Sequence, residues 1–178
     1  MSLVVITGAP GAGKTTLLQA LRARGYTIVA DTPRAIIQDR RRRGLSPRPE
    51  PLAMTQETLR IDIENYECYR GRSEHVFFER GVFDALAGLA AKTPLSESDF
   101  RTWLSKYPYF SKVFVLPPWR AIYVTDAERD HTFEHAQWVD RVTRRWYRRC
   151  GYQIVDVPMA SVDERCEFVL RECARGAD

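Results

Sequence analysis

Gly8-Ala9-Pro10-Gly11-Ala12-Gly13-Lys14-Thr15 is the stretch that decides how this chain is read. It satisfies every defined position of the phosphate-binding pattern G-x-x-x-x-G-K-[ST]. Its flanks agree. Leu3 to Thr7 are apolar and β-branched and predict a buried strand, while Thr16 to Arg24 place Leu17, Leu18 and Leu21 on one helical face. An ordinary glycine-rich turn accounts for the glycines but not for Lys-Thr at this spacing. Glycine lets the backbone turn its N–H groups inward, and these, with the positive end of the helix, hold phosphate oxygens. Gly8, Ala9, Pro10, Gly11, Ala12, Gly13, Lys14, Thr15 and Thr16 are therefore the candidate nucleotide-binding residues. Lys14 is expected to face solvent and reach the β- and γ-phosphates, and the Thr15 hydroxyl to bind Mg²⁺. The pattern calls for ATP or GTP as substrate.

Outward from this loop, strands and helices alternate. Tyr26 to Ala30 read as a second strand ending at Asp31. A helix then runs from Pro33 to about Arg43, capped by Asp31 or Thr32. Gly44 to Pro51 form a proline-rich loop, and Leu52 to Tyr69 a long helix. His75 to Phe78 give a third strand ending at Glu79-Arg80-Gly81. Helices are expected over Val82 to Ala91 and Glu97 to Lys106, the second capped by Ser96. Lys112 to Leu116 give strand four, Asp126 to Arg149 are helical in character, Tyr152 to Val157 give strand five, and Val162 to Arg175 a last helix. This alternation predicts a three-layer α/β fold, a five-stranded parallel sheet with helices on both faces. Residues 1–178 read as one domain. Segments 32–72 and 119–149 are longer than plain crossovers need; the first is expected to insert on the acceptor side and the second to form a lid.

Composition narrows the class. At 178 residues and 44% hydrophobic, the chain suits one globular core. No apolar stretch is long enough to span a bilayer, and the first strand begins too early to leave room for a signal peptide. Cys68, Cys150, Cys166 and Cys173 show no CxxC spacing and read as reduced thiols of a cytoplasmic protein. The formal charge of +4 is carried mainly by arginine, which suits an anionic substrate. Arg40-Arg41-Arg42-Arg43 lacks aromatic interleaving and any recognised nucleic-acid module, so no nucleic-acid partner is expected.

The blocks ITGAPGAGKTTLLQAL, ADTPRAII, VFFERGVFD, VFVLPPWRAIYVTDAERD and GYQIVDVPMASVDER span nearly the whole chain. Through them it resembles the small bacterial predicted ATPases of the AAA-like P-loop group, which are similar in layout to nucleoside and nucleotide kinases. The resemblance implies a kinase-like core with strand order 2-3-1-4-5.

Charged residues at the strand ends carry the remaining expectations. Asp31 lies where kinases of this layout place the carboxylate that accepts the acceptor's proton; alternatively it only caps the following helix. Glu79, after an apolar strand, is the expected second metal-binding residue opposite Thr15, or else a surface ion-pair partner. The triplet Glu79-Arg80-Gly81 is similar to the ERS or DRS triplet of deoxynucleoside kinases. Asp84 reads as an orienter of Arg80 or Mg²⁺, or as a helix N-terminal acid. Arg34, Arg80, Arg120 and Arg129 are the candidate phosphate-facing arginines, Arg129 lying where related kinases carry a lid. Lys14, Asp31, Arg80, Arg120 and Arg129 thus form the candidate catalytic set. Arg34, Gln56 and Arg60 are the candidate substrate-binding residues. Trp119 and Tyr123 supply an apolar wall or adenine shelf. His75, His131 and His135 lack a third ligand and read as exposed lid residues.

The leading expectation is a Mg²⁺- and ATP-dependent phosphotransferase acting on a small acceptor, or an ATPase when no acceptor is bound. The alternative is a nucleotide-dependent switch or adaptor that contacts a protein or an anionic lipid headgroup. An adaptor has no need of Asp31, Glu79, Arg120 and Arg129 together. A hexameric motor needs a helical lid domain for which the chain is too short.

Overall fold

The computed structural model describes residues 2–123 and 132–175. β1 (Leu3–Gly8) is buried along its whole length, because strands flank it on both edges and helices cover both faces. Its continuous apolar run is the sequence signature of that position. α1 (Lys14–Ala23) follows the loop, and β2 (Thr27–Val29), α2 (Thr32–Arg42) and α3 (Pro51–Tyr69) come next. β3 (Val76–Glu79), α4 (Val82–Ala90), α5 (Glu97–Lys106) and β4 (Lys112–Leu116) complete the middle of the chain. α6 (Phe133–Arg149), β5 (Gln153–Asp156) and α7 (Val162–Ala174) close it. All four strand pairings are parallel and the order is β2-β3-β1-β4-β5, as the resemblance implied.

Alternate side chains of the strands point to opposite faces and build two cores. On one face Val5, Phe78 and Val113 pack with Leu59 and Tyr66 of α3, Phe83 and Leu86 of α4, and Tyr147 of α6. On the other, Val4, Ile6, Phe77 and Phe114 pack with Leu17 and Leu21 of α1 and Val169 of α7. Leu17 and Leu21 are fully buried, so truncating either to alanine costs about 2–5 kcal/mol.

Two boundaries differ from the sequence reading in ways that matter. Glu79 is the last residue of β3, in register with Ile6, because the strand continues past its apolar run. α6 begins at Phe133, where the Thr132 hydroxyl accepts from the His135 N–H; the earlier part of the helix expected from Asp126 lies outside the described residues. Among the described residues, no helix is long and apolar enough to cross a membrane. The carboxyl ends of β1, β2 and β3 bring Gly8, Asp31 and Glu79 to one edge of the sheet. Gly8 has φ 129°, and a Cβ there would lie 2.3 Å from the Leu116 carbonyl oxygen of β4. No other residue fits this crossing of loop and strand.

Candidate nucleotide and acceptor site

The loop leaves β1 and enters α1 through Gly13, which is left-handed (φ 85°, ψ 21°) and caps the helix without a side chain. The first N–H groups of α1 therefore face the loop's interior. Lys14 does not face solvent as expected. Its Nζ folds back and donates to the carbonyls of Gly8 (3.1 Å) and Ala9 (2.8 Å), and the residue is buried. A buried ammonium takes the nearest acceptors, and here the loop's own carbonyls supply them.

The Thr15 hydroxyl donates to the Glu79 carboxyl, lying 3.1 Å from each oxygen. Burial pushes the Glu79 carboxyl up, with Asp31 adding to the shift; Lys14, the Thr15 hydrogen bond and Arg80 oppose it. Thr15 and Glu79 thus present a hydroxyl and a carboxylate side by side. Both are hard oxygen donors of the kind Mg²⁺ takes alongside nucleotide phosphates, so the residues fit that ion. Among the described residues, no cluster of three or more acidic, histidine or cysteine side chains offers a metal cage.

Asp31 makes no side-chain capping bond to α2. It faces Arg80, whose Nε is 3.6 Å from its Oδ1, and both atoms are buried without a hydrogen bond. Arg80 is the only described non-glycine residue with a positive φ, 67°. That conformation costs about 1–2 kcal/mol and here lies at the turn between β3 and α4, beside Asp31. Burial works against the Arg80 charge, but Asp31, Asp84 and Glu79 outweigh it and hold the guanidinium more firmly protonated than usual. Asp84 is the helix N-terminal acid of α4. It accepts from the Gly81 N–H (3.0 Å), the Thr7 hydroxyl (2.7 Å) and the Tyr147 hydroxyl (2.5 Å), tying β1, α4 and α6 together beneath the site.

These groups border a cavity of about 540 Å³, lined by Lys14, Asp31, Arg34, Arg48, Glu79, Arg80 and Lys92 among others. A smaller recess of about 170 Å³ shares Pro33, Met54, Thr55 and Arg80 with it, and is floored by Thr32, Thr58, Asp62 and Asp84. Asp62 accepts from the Thr32 hydroxyl at 2.5 Å. Burial, reinforced by Asp84 and Asp31 and opposed by Thr32 and Arg80, pushes its pKa up to about 7.

Several expectations need correction. Gln56 and Arg60 are exposed and line neither space; Arg60 instead pairs with Glu64 at 2.5 Å. α3 turns Met54, Thr55, Thr58 and Asp62 to the site, because the same face carries the buried Leu59 and Tyr66. Arg120 is 77% exposed, 3.9 Å from Glu134 and stacked over the Phe133 ring, away from the cavity. His75 is not a lid residue but packs half-buried against Phe77 and Phe110. Of the remaining lid candidates, His135 lines the cavity, while Arg129 and His131 lie outside the described residues. Tyr123 covers Gly11, and Trp119 stands beside Arg165 of α7, a residue that sequence reading passed over. Asp62 was also passed over. Its signal was present: Thr58, Asp62 and Tyr66 repeat at four-residue spacing, placing an acid in a buried stripe.

A parallel sheet in this order, with the phosphate loop after its central strand, defines a P-loop NTPase similar to the nucleotide kinases. An AAA domain family matches residues 3–165, and the chain belongs to that family. Among solved structures it is similar to deoxyadenosine kinase from M. mycoides with the products dCMP and dCDP bound. That match has TM-score 0.65 and 14% identity, covering 97% of this chain and 98% of that one. It is also similar to thymidylate kinase from Candida albicans (TM-score 0.63, 14% identity, covering 99% and 93%). The YorR protein from Bacillus subtilis, in complex with phosphorylated GDP, is similar as well (TM-score 0.59, 14% identity, covering 96% and 95%). No curated protein sequence matches significantly. The chain is a P-loop protein of the AAA family with the fold of the nucleotide kinases.

Proposed function

We propose that the protein transfers the γ-phosphoryl group of ATP to a small acceptor bound in the cavity beside the loop. The observation that carries this reading is Asp31. A carboxylate at a strand end, making no helix cap, faces the cavity shared with Lys14, Glu79 and Arg80. An adaptor has no use for a base-bearing cavity next to the γ-phosphate position.

The inward N–H groups of the loop hold the β- and γ-phosphates, and Lys14 exchanges its loop carbonyls for phosphate oxygens. Thr15 and Glu79 would hold Mg²⁺, which would supply charge neutralisation on the phosphate oxygens. Asp31 takes the proton of the acceptor's hydroxyl. The acceptor oxygen then bonds to the γ-phosphorus as the bond to the β-phosphate's bridging oxygen breaks, and the nucleoside diphosphate leaves with that electron pair. Arg80, held charged by three carboxylates, stabilises the equatorial oxygens from its fixed position. Arg34, which lines that cavity, holds the acceptor. GTP in place of ATP uses the same loop contacts. All four cysteines are free thiols, which suits a cytoplasmic setting.

The test is a panel of hydroxyl-bearing acceptors incubated with Mg²⁺-ATP, with transfer followed against hydrolysis without acceptor. An acceptor is expected to take phosphate faster than water does. Asp31→Asn should then lower transfer by about 10²–10⁴-fold and hydrolysis less, since water needs less help from a base in a loose transition state. Hydrolysis that no acceptor alters, unchanged in Asp31→Asn, would overturn the phosphotransferase in favour of the switch or adaptor.

A further inference from the structure

α7 brings one more cation to the loop. Ser161 caps this helix and Glu164 closes a capping box with it, which fixes where the first turn points. Arg165 lies in that first turn and runs inward, not out to solvent; it is only 5% exposed. A Cβ built on Gly13 would lie 2.8 Å from its Nη1, so the guanidinium rests against the last glycine of the phosphate loop. Ile122 approaches the same point, and the Trp119 ring centre is 5.8 Å from the guanidinium carbon.

Its Nε and Nη1 are buried with no hydrogen-bond partner among the described residues. The other inward-turned cations differ. Lys112 pairs with Glu172 at 3.0 Å, Arg144 with Asp140 at 2.8 Å and Asp156 at 2.5 Å, and Lys14 donates to two carbonyls; Arg80, whose Nε also lacks a hydrogen bond, has the Asp31 carboxylate 3.6 Å away as countercharge. Leaving one buried guanidinium unpaired is costly. Burial also makes its charge harder to keep, pulling its pKa below the usual arginine range. An anion delivered from outside the chain removes that cost.

The position says which anion. The acceptor cavity touches Pro10, Lys14, Glu79 and Arg80 but neither Gly13 nor Arg165. A triphosphate with its γ-phosphate toward that cavity extends its other end across Gly13. We propose that Arg165 is a nucleotide-binding residue that pairs with the α-phosphate, with Trp119 holding the guanidinium plane beneath the base-proximal half of the nucleotide. This rests on the nucleotide reading of the loop and goes beyond it, since the P-loop pattern assigns nothing to α7. Arginine suits the task because its planar fork meets two phosphate oxygens at once.

The test is Arg165→Met, which keeps length and apolar packing, titrated by calorimetry with ATP and with inorganic pyrophosphate. ATP affinity is expected to fall at least about tenfold, the loss of one charge-assisted pair. Pyrophosphate, which fills only the β and γ positions, should bind within twofold of wild type, and the melting temperature should hold or rise. ATP affinity within twofold of wild type overturns the proposal alone; an equal loss for both ligands overturns the α-phosphate placement. Wild-type protein that binds neither ligand overturns the nucleotide reading itself. If the methionine variant does not fold, Arg165→Gln is read by the same comparison.

Discussion

The two ends of the phosphate loop are built differently. On the acceptor side, each buried charge faces a partner within the chain: Lys14 the loop carbonyls, Glu79 the Thr15 hydroxyl, and Asp31 and Arg80 each other as opposite charges 3.6 Å apart, without a hydrogen bond. At the other end Arg165 has none among the described residues. Charges of opposite sign already face one another there before ligand arrives, and fixed charges and dipoles that need no reorganisation are what a developing charge in a transition state requires. An unanswered cation contributes nothing until its anion comes, and so gains most from binding. On the proposed reading, chemistry falls to one end and affinity to the other.

Substitutions on the acceptor side should therefore separate turnover from binding. Asp31→Asn aside, the largest effect is expected from Glu79→Gln. The amide keeps the volume and can still accept from Thr15, but it removes the charge that compensates Mg²⁺. Nucleotide affinity should stay within about threefold while turnover per folded molecule falls about 10²–10³-fold. Because burial already raises the Glu79 carboxyl, a neutral side chain should leave the melting temperature level or higher. A sharp fall in melting temperature with unchanged turnover would make Glu79 a structural partner of Thr15 and dissolve the comparison.

Lys14→Ala comes next and cuts across it, since on the proposed reading Lys14 serves both ends through the phosphates it would bridge. Losing its charge-assisted bonds should weaken ATP binding by about 100-fold. The side chain is buried against the Gly8 and Ala9 carbonyls, so the variant also frees two acceptors to water. That should cost about 1 kcal/mol of stability, a term a solvent-facing lysine lacks. Calorimetry for ATP and thermal melting without it measure the two separately, and wild-type affinity would remove Lys14 from the phosphates.

What was legible in the sequence follows the same division. The loop, β1 and α1 are contiguous, and their chemistry depends on local spacing, so Gly13, Lys14 and Thr15 could be placed by pattern. Glu79 and Asp31 were legible because an apolar run marks where a strand ends, and strand ends in a parallel sheet converge. The cavity wall was not. α3 has a weakly one-sided pattern, and choosing Gln56 and Arg60 instead of Thr58 and Asp62 is an error of half a helical turn. Only the packing of Leu59 and Tyr66 against the sheet sets that rotation. Arg165 was hidden for another reason. An arginine near the start of a surface helix reads as solvated, and its contact with Gly13 is made wholly by tertiary packing between chain segments far apart in sequence.

Asp62 tests whether the acceptor side is as internally balanced as it looks, and its effect should be the smallest. Its folded pKa, about 7, lies above the ordinary 3.8, so the protonated acid is the form the fold prefers. Such a group contributes stability that is fully present below about pH 4 and is lost as pH rises through about 7. Asp62→Asn is neutral throughout and its amide oxygen can still accept from Thr32, so it escapes that loss. Each tenfold change in proton affinity is worth about 1.4 kcal/mol, so the full penalty is a few kcal/mol, and the amide's own burial offsets part of it. A net gain of about 1–2 kcal/mol at pH 8 is expected, vanishing toward pH 4. Thermal melts of both proteins across this range should show the variant's relative melting temperature climbing by a few degrees with pH. A difference that is flat or declines would mean that Asp62 is ionised in the fold at neutral pH. The recess it floors would then be an anionic one, suited to an acceptor bearing positive charge and not merely a hydroxyl.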